Sequence, residues 1–235
     1  MRKSSTMERI GIVIVAGGSG SRMGAALPKQ FLDIAERPVL VRTVERMREA
    51  LPEAEIVVVL PKAHVELWQE CCQRAVCKVE HSVAFGGATR FDSVASGIAA
   101  LSDDCTLIAI HDGVRPLLSC EMILRGVKCA AECGSAIPVI PVVDSIRAVD
   151  ADGSHVVDRS LLRAVQTPQI FRSDLLRKAY EAVGARLEDR SKATDDASVV
   201  EMYGEKVALY EGEPNNLKLT TPTDLSIAEV LLQKR

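Results

Sequence analysis

The chain has 235 residues, enough for one sizeable α/β domain or two small ones with a full core. Its net charge of −3 gives no general pull toward nucleic acid or anionic membrane, so any attraction for phosphate must be local. Aromatics make up only 3%, which argues against stacking platforms for single strands, and no apolar stretch approaches the roughly 18 residues of a membrane span.

The N-terminal MRKSSTMER runs directly into IGIVIVAGG, without the longer apolar region and cleavage site of a signal peptide, so a cytoplasmic location is expected. From there, strand-like and helical runs alternate. IGIVIVA, EIVVVL (55–60), CTLIAIH (105–111) and SAIPVIPV (135–142) are nearly continuous apolar stretches, the pattern of strands buried on both faces of a parallel sheet. Amphipathic helices are predicted over 39–50, 64–72, 93–101 and 119–133, with Asp92 and Ser119 as N-caps of the last two. The alternation predicts an α/β fold with a doubly wound, Rossmann-like, mostly parallel sheet.

The alternation breaks after Val142. Residues 142–166 contain two extended segments around Asp152-Gly153, predicting a protruding β-hairpin arm of a kind that commonly makes dimer contacts, or else an edge hairpin of the main sheet. A helix over 173–183, a polar loop over 188–195, a short helix, a strand over 206–211 and a final helix follow. Thr221-Pro222 opens that last helix as N-cap and N1. One domain with an arm is the economical reading. The seven cysteines form no CxxC pair and are expected to be reduced, mostly buried thiols.

AGGSGSRMGAALPKQ (16–30) is the most informative stretch. A dinucleotide fingerprint would need its third glycine one place earlier and a carboxylate closing the second strand, which instead ends Leu60-Pro61-Lys62. A Walker loop would need Gly-Lys, and none occurs here. What remains is a loop at the C-terminal end of the first strand whose backbone amides can approach an anion, with Arg22 and Lys29 bringing two positive charges to it. A triphosphate losing pyrophosphate would use such cations for electrostatic stabilisation. A tight turn with solvated cations is the plainer alternative.

Asp112 follows the third strand, at the same edge. A carboxylate beside a triphosphate calls for a divalent cation between them, which argues for Mg²⁺, unless Asp112 is a capping or turn residue. Arg115 either offers a planar fork to a phosphate or polyol, or pairs with a nearby carboxylate. Lys218, flanked by leucines, is an edge-strand gatekeeper or is directed into a site. His111 reads as structural or positioning.

The stretch 16–32 resembles the signature of nucleotidyltransferases that activate sugar and polyol phosphates, of the glycosyltransferase-A-like type. Six further motifs resemble the 2-C-methyl-D-erythritol 4-phosphate cytidylyltransferase family: GGATRFDSV (86–94), HDGVRP (111–116), PVVDSIR (141–147), DRSLLRAVQTPQIF (158–171), TDDASVVE (194–201) and NNLKLTTPTDL (215–225). The resemblance implies transfer of CMP from CTP to that acceptor in non-mevalonate isoprenoid synthesis, with Arg22, Lys29 and Lys218 as the catalytic cations and Mg²⁺ at Asp112. It implies that Ala16, Gly17, Gly87 and Ser93 form the cytosine pocket of the nucleotide site, to which Gly18 and Gly20 add phosphate-facing amides, and that Ser145, Arg159, Thr167 and Thr194 handle the acceptor, with Arg115 a further candidate by its own chemistry. Arg159, on the arm, would serve a neighbouring subunit's site in a homodimer. GGATR departs from the more usual GGDER, so a side-chain contribution at Ala88 is in doubt. Ribitol-5-phosphate cytidylyltransferases share part of these motifs and differ in acceptor. A non-catalytic nucleotide-binding regulatory domain is the alternative of another class.

Overall fold

The computed structural model describes residues 8–17, 27–188 and 190–233. Strand β1 (Ile10–Val15) leads to a 3-10 turn (Lys29–Phe31), then to a small ribbon of β2 (Asp33–Ile34) and β3 (Arg37–Pro38). Helix α1 (Val39–Ala50), β4 (Glu55–Leu60), α2 (Val65–Arg74), β5 (Ser82–Phe85), α3 (Arg90–Ala100), β6 (Leu107–Asp112), α4 (Cys120–Cys133) and β7 (Ser135–Pro141) continue the alternation. Then come β8 (Ile146–Asp150), β9 (Gly153–Val157), β10 (Arg163–Val165), β11 (Gln169–Arg172), α5 (Ser173–Arg186), α6 (Asp196–Tyr203), β12 (Leu209–Glu211) and α7 (Pro222–Gln233).

The main sheet has the order β10-β7-β11-β6-β1-β4-β5, with β12 also paired to β7. Pairings on either side of β1 are parallel, while β11 runs antiparallel between β6 and β7. Period-2 alternation divides each central strand between two cores. Ile12, Ile14, Ile56 and Val58 pack with α1, α2 and α4, whereas Val13, Val57, Val59, Ile108 and Ile110 pack with α3 and α5. At Gly97 in α3 a Cβ would lie 2.4 Å from Val13 Cγ1, so only glycine lets this helix seat so closely on β1.

Several local expectations shift. Helix α3 starts three residues earlier than predicted because Thr89, not Asp92, is its N-cap: the Thr89 hydroxyl accepts from Asp92 N–H at 3.2 Å, and Asp92 answers from the N3 position. Ser119 caps α4 as expected, accepting from Met122 N–H at 3.0 Å. Strand β12 is shorter than predicted, and β5, an exposed four-residue edge strand, was not foreseen. All seven cysteines are free, but only Cys71 and Cys105 are buried, so the thiols are less buried than expected. Strands β8 and β9 form a separate two-stranded sheet rather than an edge of the main one.

The end of β6 is held from beneath by a buried polar knot. His111 Nε2 lies 3.1 Å from the Arg115 carbonyl, which can only accept, so Nε2 carries the proton and Nδ1 is an acceptor. Thr167 Oγ1, 2.9 Å from Nδ1, therefore donates to it while accepting the Asp112 N–H at 3.1 Å. Asn216 donates to the Thr167 carbonyl at 2.8 Å and accepts from Arg115 Nη1 at 2.7 Å through its own carbonyl. Burial pushes the His111 imidazole down to about 4. An unfolded chain, with the ordinary histidine pKa near 6.5, takes up a proton that the folded state refuses. His111 therefore lowers stability as pH falls from about 6.5 toward 4. The expected NMR result is a His111 ring that remains neutral, with the proton on Nε2, down to pH 5; protonation near pH 6.5 would contradict the knot.

Candidate active site

The parallel strands β1 and β4, with β6, end on one edge, where Ala16 N–H continues to Val59 O and Gly113 N–H to Val15 O, each at 2.9 Å. Above this edge lies a cleft of about 330 Å³ lined by Ala16, Gly17, Lys29, Gly87, Ser93, Asp112 and Lys218, together with Gln30 and Arg90. A larger hollow of about 840 Å³ lies at the opposite ends of the strands, between Arg9, Arg48, Glu53, Glu55 and Lys78, with mixed charge and none of the expected site residues. The smaller cleft sits where open α/β sheets bind ligands.

Asp112 is the last residue of β6, and its side chain is almost fully buried. Its Oδ2 is 3.1 Å from Lys218 Nζ and 3.2 Å from Arg115 Nε. Burial pushes the carboxyl up, but Lys218, then Arg90 and Arg115, outweigh it and hold the group well below the usual carboxylate range. Lys218 reaches the cleft from an extended segment that is no strand, so it is not an edge-strand gatekeeper. Leu219 fixes that segment by donating its N–H to Val114 O at 2.9 Å and burying its side chain with Ile34, Val39 and Leu117. Lys29 opens the 3-10 turn, and the adjacent buried Gln30 donates to Ala16 O at 2.8 Å, tying that turn to the start of the glycine loop.

The loop before α3 forms the facing wall. Ser93 Oγ accepts from Gly87 N–H at 3.1 Å and donates to Thr89 O at 2.9 Å, so this hydroxyl braces the loop. A Cβ on Gly87 would lie 2.3 Å from Asp92 Cβ, leaving room for glycine alone.

Other expected residues fall elsewhere. Gly18, Gly20 and Arg22 lie outside the described residues. Arg115 is buried behind the cleft with its guanidinium committed to Asp112 and the Asn216 carbonyl, so it takes the ion-pair alternative rather than offering a fork. The buried Thr167 hydroxyl is committed to the knot. Ser145 and Thr194 are exposed and outside the cleft lining, and Arg159, beside the hairpin, donates to Val143 O.

Arg90 is the charged cleft residue that sequence reasoning missed. A cation in the first turn of a helix opposes the helix dipole, so its presence needs a cause. Its guanidinium makes two bonds to the fully buried Asp196, at 3.0 and 2.6 Å, and Tyr180 donates to the same carboxylate at 2.6 Å. The partner lies 106 positions along the chain, beyond any local pattern. The one available signal was a cation at this unfavourable first-turn position.

The described residues thus bring a carboxylate, two lysines and an arginine around one pocket with glycine-rich walls, an arrangement suited to a polyphosphate. The 2-C-methyl-D-erythritol 4-phosphate cytidylyltransferase family model, IspD, matches residues 10–234. Among curated relatives, the enzyme of that name from Bacteroides fragilis is 46% identical over 94% of this chain and 98% of its own. That from Porphyromonas gingivalis is 47% identical over 94% and 96%. Among solved structures, the 4-diphosphocytidyl-2C-methyl-D-erythritol synthase of Anaerococcus prevotii aligns with a TM-score of 0.81 at 28% identity, covering 96% of both chains. The Thermus thermophilus cytidylyltransferase aligns with a TM-score of 0.75 at 33% identity, covering 97% of this chain and all of that one. With most of the chain matched by the family model and by relatives of this identity, the chain belongs to the 2-C-methyl-D-erythritol 4-phosphate cytidylyltransferase family.

Proposed function

We propose that the cleft over β1 and β6 is where this chain transfers the cytidylyl group of CTP to 2-C-methyl-D-erythritol 4-phosphate. The chain is a cytidylyltransferase of the non-mevalonate isoprenoid pathway, forming 4-diphosphocytidyl-2-C-methyl-D-erythritol and pyrophosphate. The observation that carries the assignment of the site is the convergence of Lys29, Arg90, Asp112 and Lys218 on one pocket.

The acceptor's phosphate oxygen attacks the α-phosphorus of CTP as the bond to the β-phosphate breaks. A phosphomonoester, with its second pKa near 6, is mostly a dianion at neutral pH and needs no general base. Lys29 and Lys218 face the charge that builds on the phosphates, and Arg22, outside the described residues, is proposed as the third cation. Backbone groups of Ala16, Gly17 and Gly87, the last braced by Ser93, read the cytosine, and Gly18 and Gly20, outside the described residues, are proposed to serve the phosphates.

Asp112 offers one hard oxygen donor set, and no cluster of three or more His, Cys, Asp or Glu suited to a metal occurs among the described residues. Asp112 would hold such an ion by its carboxylate, with phosphate and water as the other oxygen ligands, the habit of Mg²⁺. When bound, it neutralises triphosphate charge beside the Asp112 carboxylate.

The acceptor is proposed to lie toward Ser145, Arg159 and Thr194. Exposed valines and a leucine (Val143, Val149, Val156 and Leu161, between 71% and 82% exposed) around β8 and β9 support a homodimer in which each arm reaches the other subunit's site. Arg115 and Thr167 act from behind the cleft, holding Asp112. No described helix is long and apolar enough to cross a membrane, and a cytoplasmic location is proposed.

Lys29→Ala and Lys218→Ala are expected to lower pyrophosphate release by about 10²–10³-fold with circular dichroism unchanged; near-normal release in both would overturn their catalytic assignment. With CTP and Mg²⁺, the methylerythritol phosphate is expected to be strongly preferred over ribitol 5-phosphate, and EDTA is expected to stop turnover. A preference for ribitol 5-phosphate would reassign the acceptor, and CTP binding without any turnover would leave a regulatory domain. Val149→Asp with Leu161→Asp is expected to yield monomers by sedimentation; an unchanged dimer, or a monomeric wild type, would exclude arm-mediated assembly.

A further inference from the structure

The C-terminus of α2 closes in a turn that the cleft does not use. Ala75 ends the helix, Val76 follows at φ +50°, and Cys77 comes next. Val76 N–H donates to Gln73 O at 3.1 Å and Cys77 N–H to Cys72 O at 2.9 Å. These are the two bonds of a Schellman motif, whose left-handed position usually belongs to glycine. Here a β-branched residue occupies it, a backbone state that such side chains rarely adopt.

The motif packs the residue three from the helix end against the second residue beyond it, usually as an apolar pair. In this chain those positions are Cys72 and Cys77, so the turn sets the two side chains beside each other. Both are half-buried at the margin of the core formed by α1 and α2, while the adjacent Cys71 is buried. The neighbouring Cys72 thiol pulls the Cys77 thiol down against the opposing effect of burial. Cys77 and burial push the Cys72 thiol up. One thiol of the pair is thus the better nucleophile.

We propose that Cys72 and Cys77 form a reversible intrachain disulfide, closing the end of α2, when the protein meets hydrogen peroxide. The Cys77 thiolate attacks a peroxide oxygen and the O–O bond breaks; the sulfur is oxidised to the sulfenic acid, and the departing hydroxide takes a proton to become water. The Cys72 sulfur then attacks the Cys77 sulfur, the S–S bond forms and the S–O bond breaks, and the hydroxyl leaves as water with the Cys72 proton. Both peroxide oxygens end as water, and the two thiols lose two hydrogens.

The test treats the full-length protein with equimolar hydrogen peroxide, blocks free thiols and digests with trypsin without reduction. Cleavage after Lys62, Arg74 and Lys78 separates the two cysteines into fragments 63–74 and 75–78. The expected product is these fragments joined, two hydrogens lighter than their sum, released by dithiothreitol, retained in Cys71→Ser and absent in Cys72→Ser. No joined fragment from the wild type, or one that persists in Cys72→Ser, would overturn the proposal.

Discussion

The carboxylate of Asp112 is the constraint around which the site is organised. It sits at the last position of a central strand with little access to water, and stripping water from an unpaired carboxylate costs several kcal/mol. Lys218 and Arg115 offset that cost by direct contact, and Arg90 adds its field from across the cleft. These three cations come from α3, the turn after β6, and the extended segment before α7. The charge is therefore stable only when distant parts of the chain have converged. The same convergence gathers charged side chains around the pocket over the strand ends, where a polyphosphate can exchange its own charge for that of Asp112.

The rest of the fold serves to hold that arrangement still. Continuous apolar strands split between two helical layers fix the height of the sheet edge. The antiparallel strand β11, inserted beside β6, brings Thr167 against His111, so one neutral imidazole and one hydroxyl satisfy the backbone beneath Asp112. Asn216 then joins that knot to the segment carrying Lys218. Lys218 is consequently placed by packing and by buried hydrogen bonds rather than by its own flexible stem, which is the preorganisation that electrostatic catalysis needs. The binding of Asp196 to Arg90 does the same on the opposite wall.

Much of this was legible in the chain because strands buried on both faces leave unbroken runs, as in IGIVIV and EIVVVL, and because Ser119 and Thr221-Pro222 are local capping signals. Strand β5 was not, since an exposed four-residue edge strand has little apolar signal. The cap of α3 was misplaced by three residues because Thr89 and Asp92 both qualify locally, and only their reciprocal bonds decide which is N-cap and which N3. Arg115 and Thr167 carry the right chemistry for a ligand, yet the fold spends it internally: Arg115 on Asp112 three residues before it and on Asn216 101 positions away, and Thr167 on Asp112 55 positions away. Asp112 and Lys218 were visible as a strand-end carboxylate and a lysine between leucines, but their mutual contact was not.

The most direct measurement is made on Asp112→Asn, which keeps the shape of the side chain and removes its charge. Two quantities are compared with the wild type: pyrophosphate release with Mg²⁺, and CTP binding by calorimetry without any divalent cation. If the Asp112 charge organises the site, turnover falls by about 100-fold or more while metal-free CTP binding is equal or tighter, because a repulsive carboxylate has gone. Turnover within a few-fold of the wild type, or weaker metal-free binding, would contradict the account.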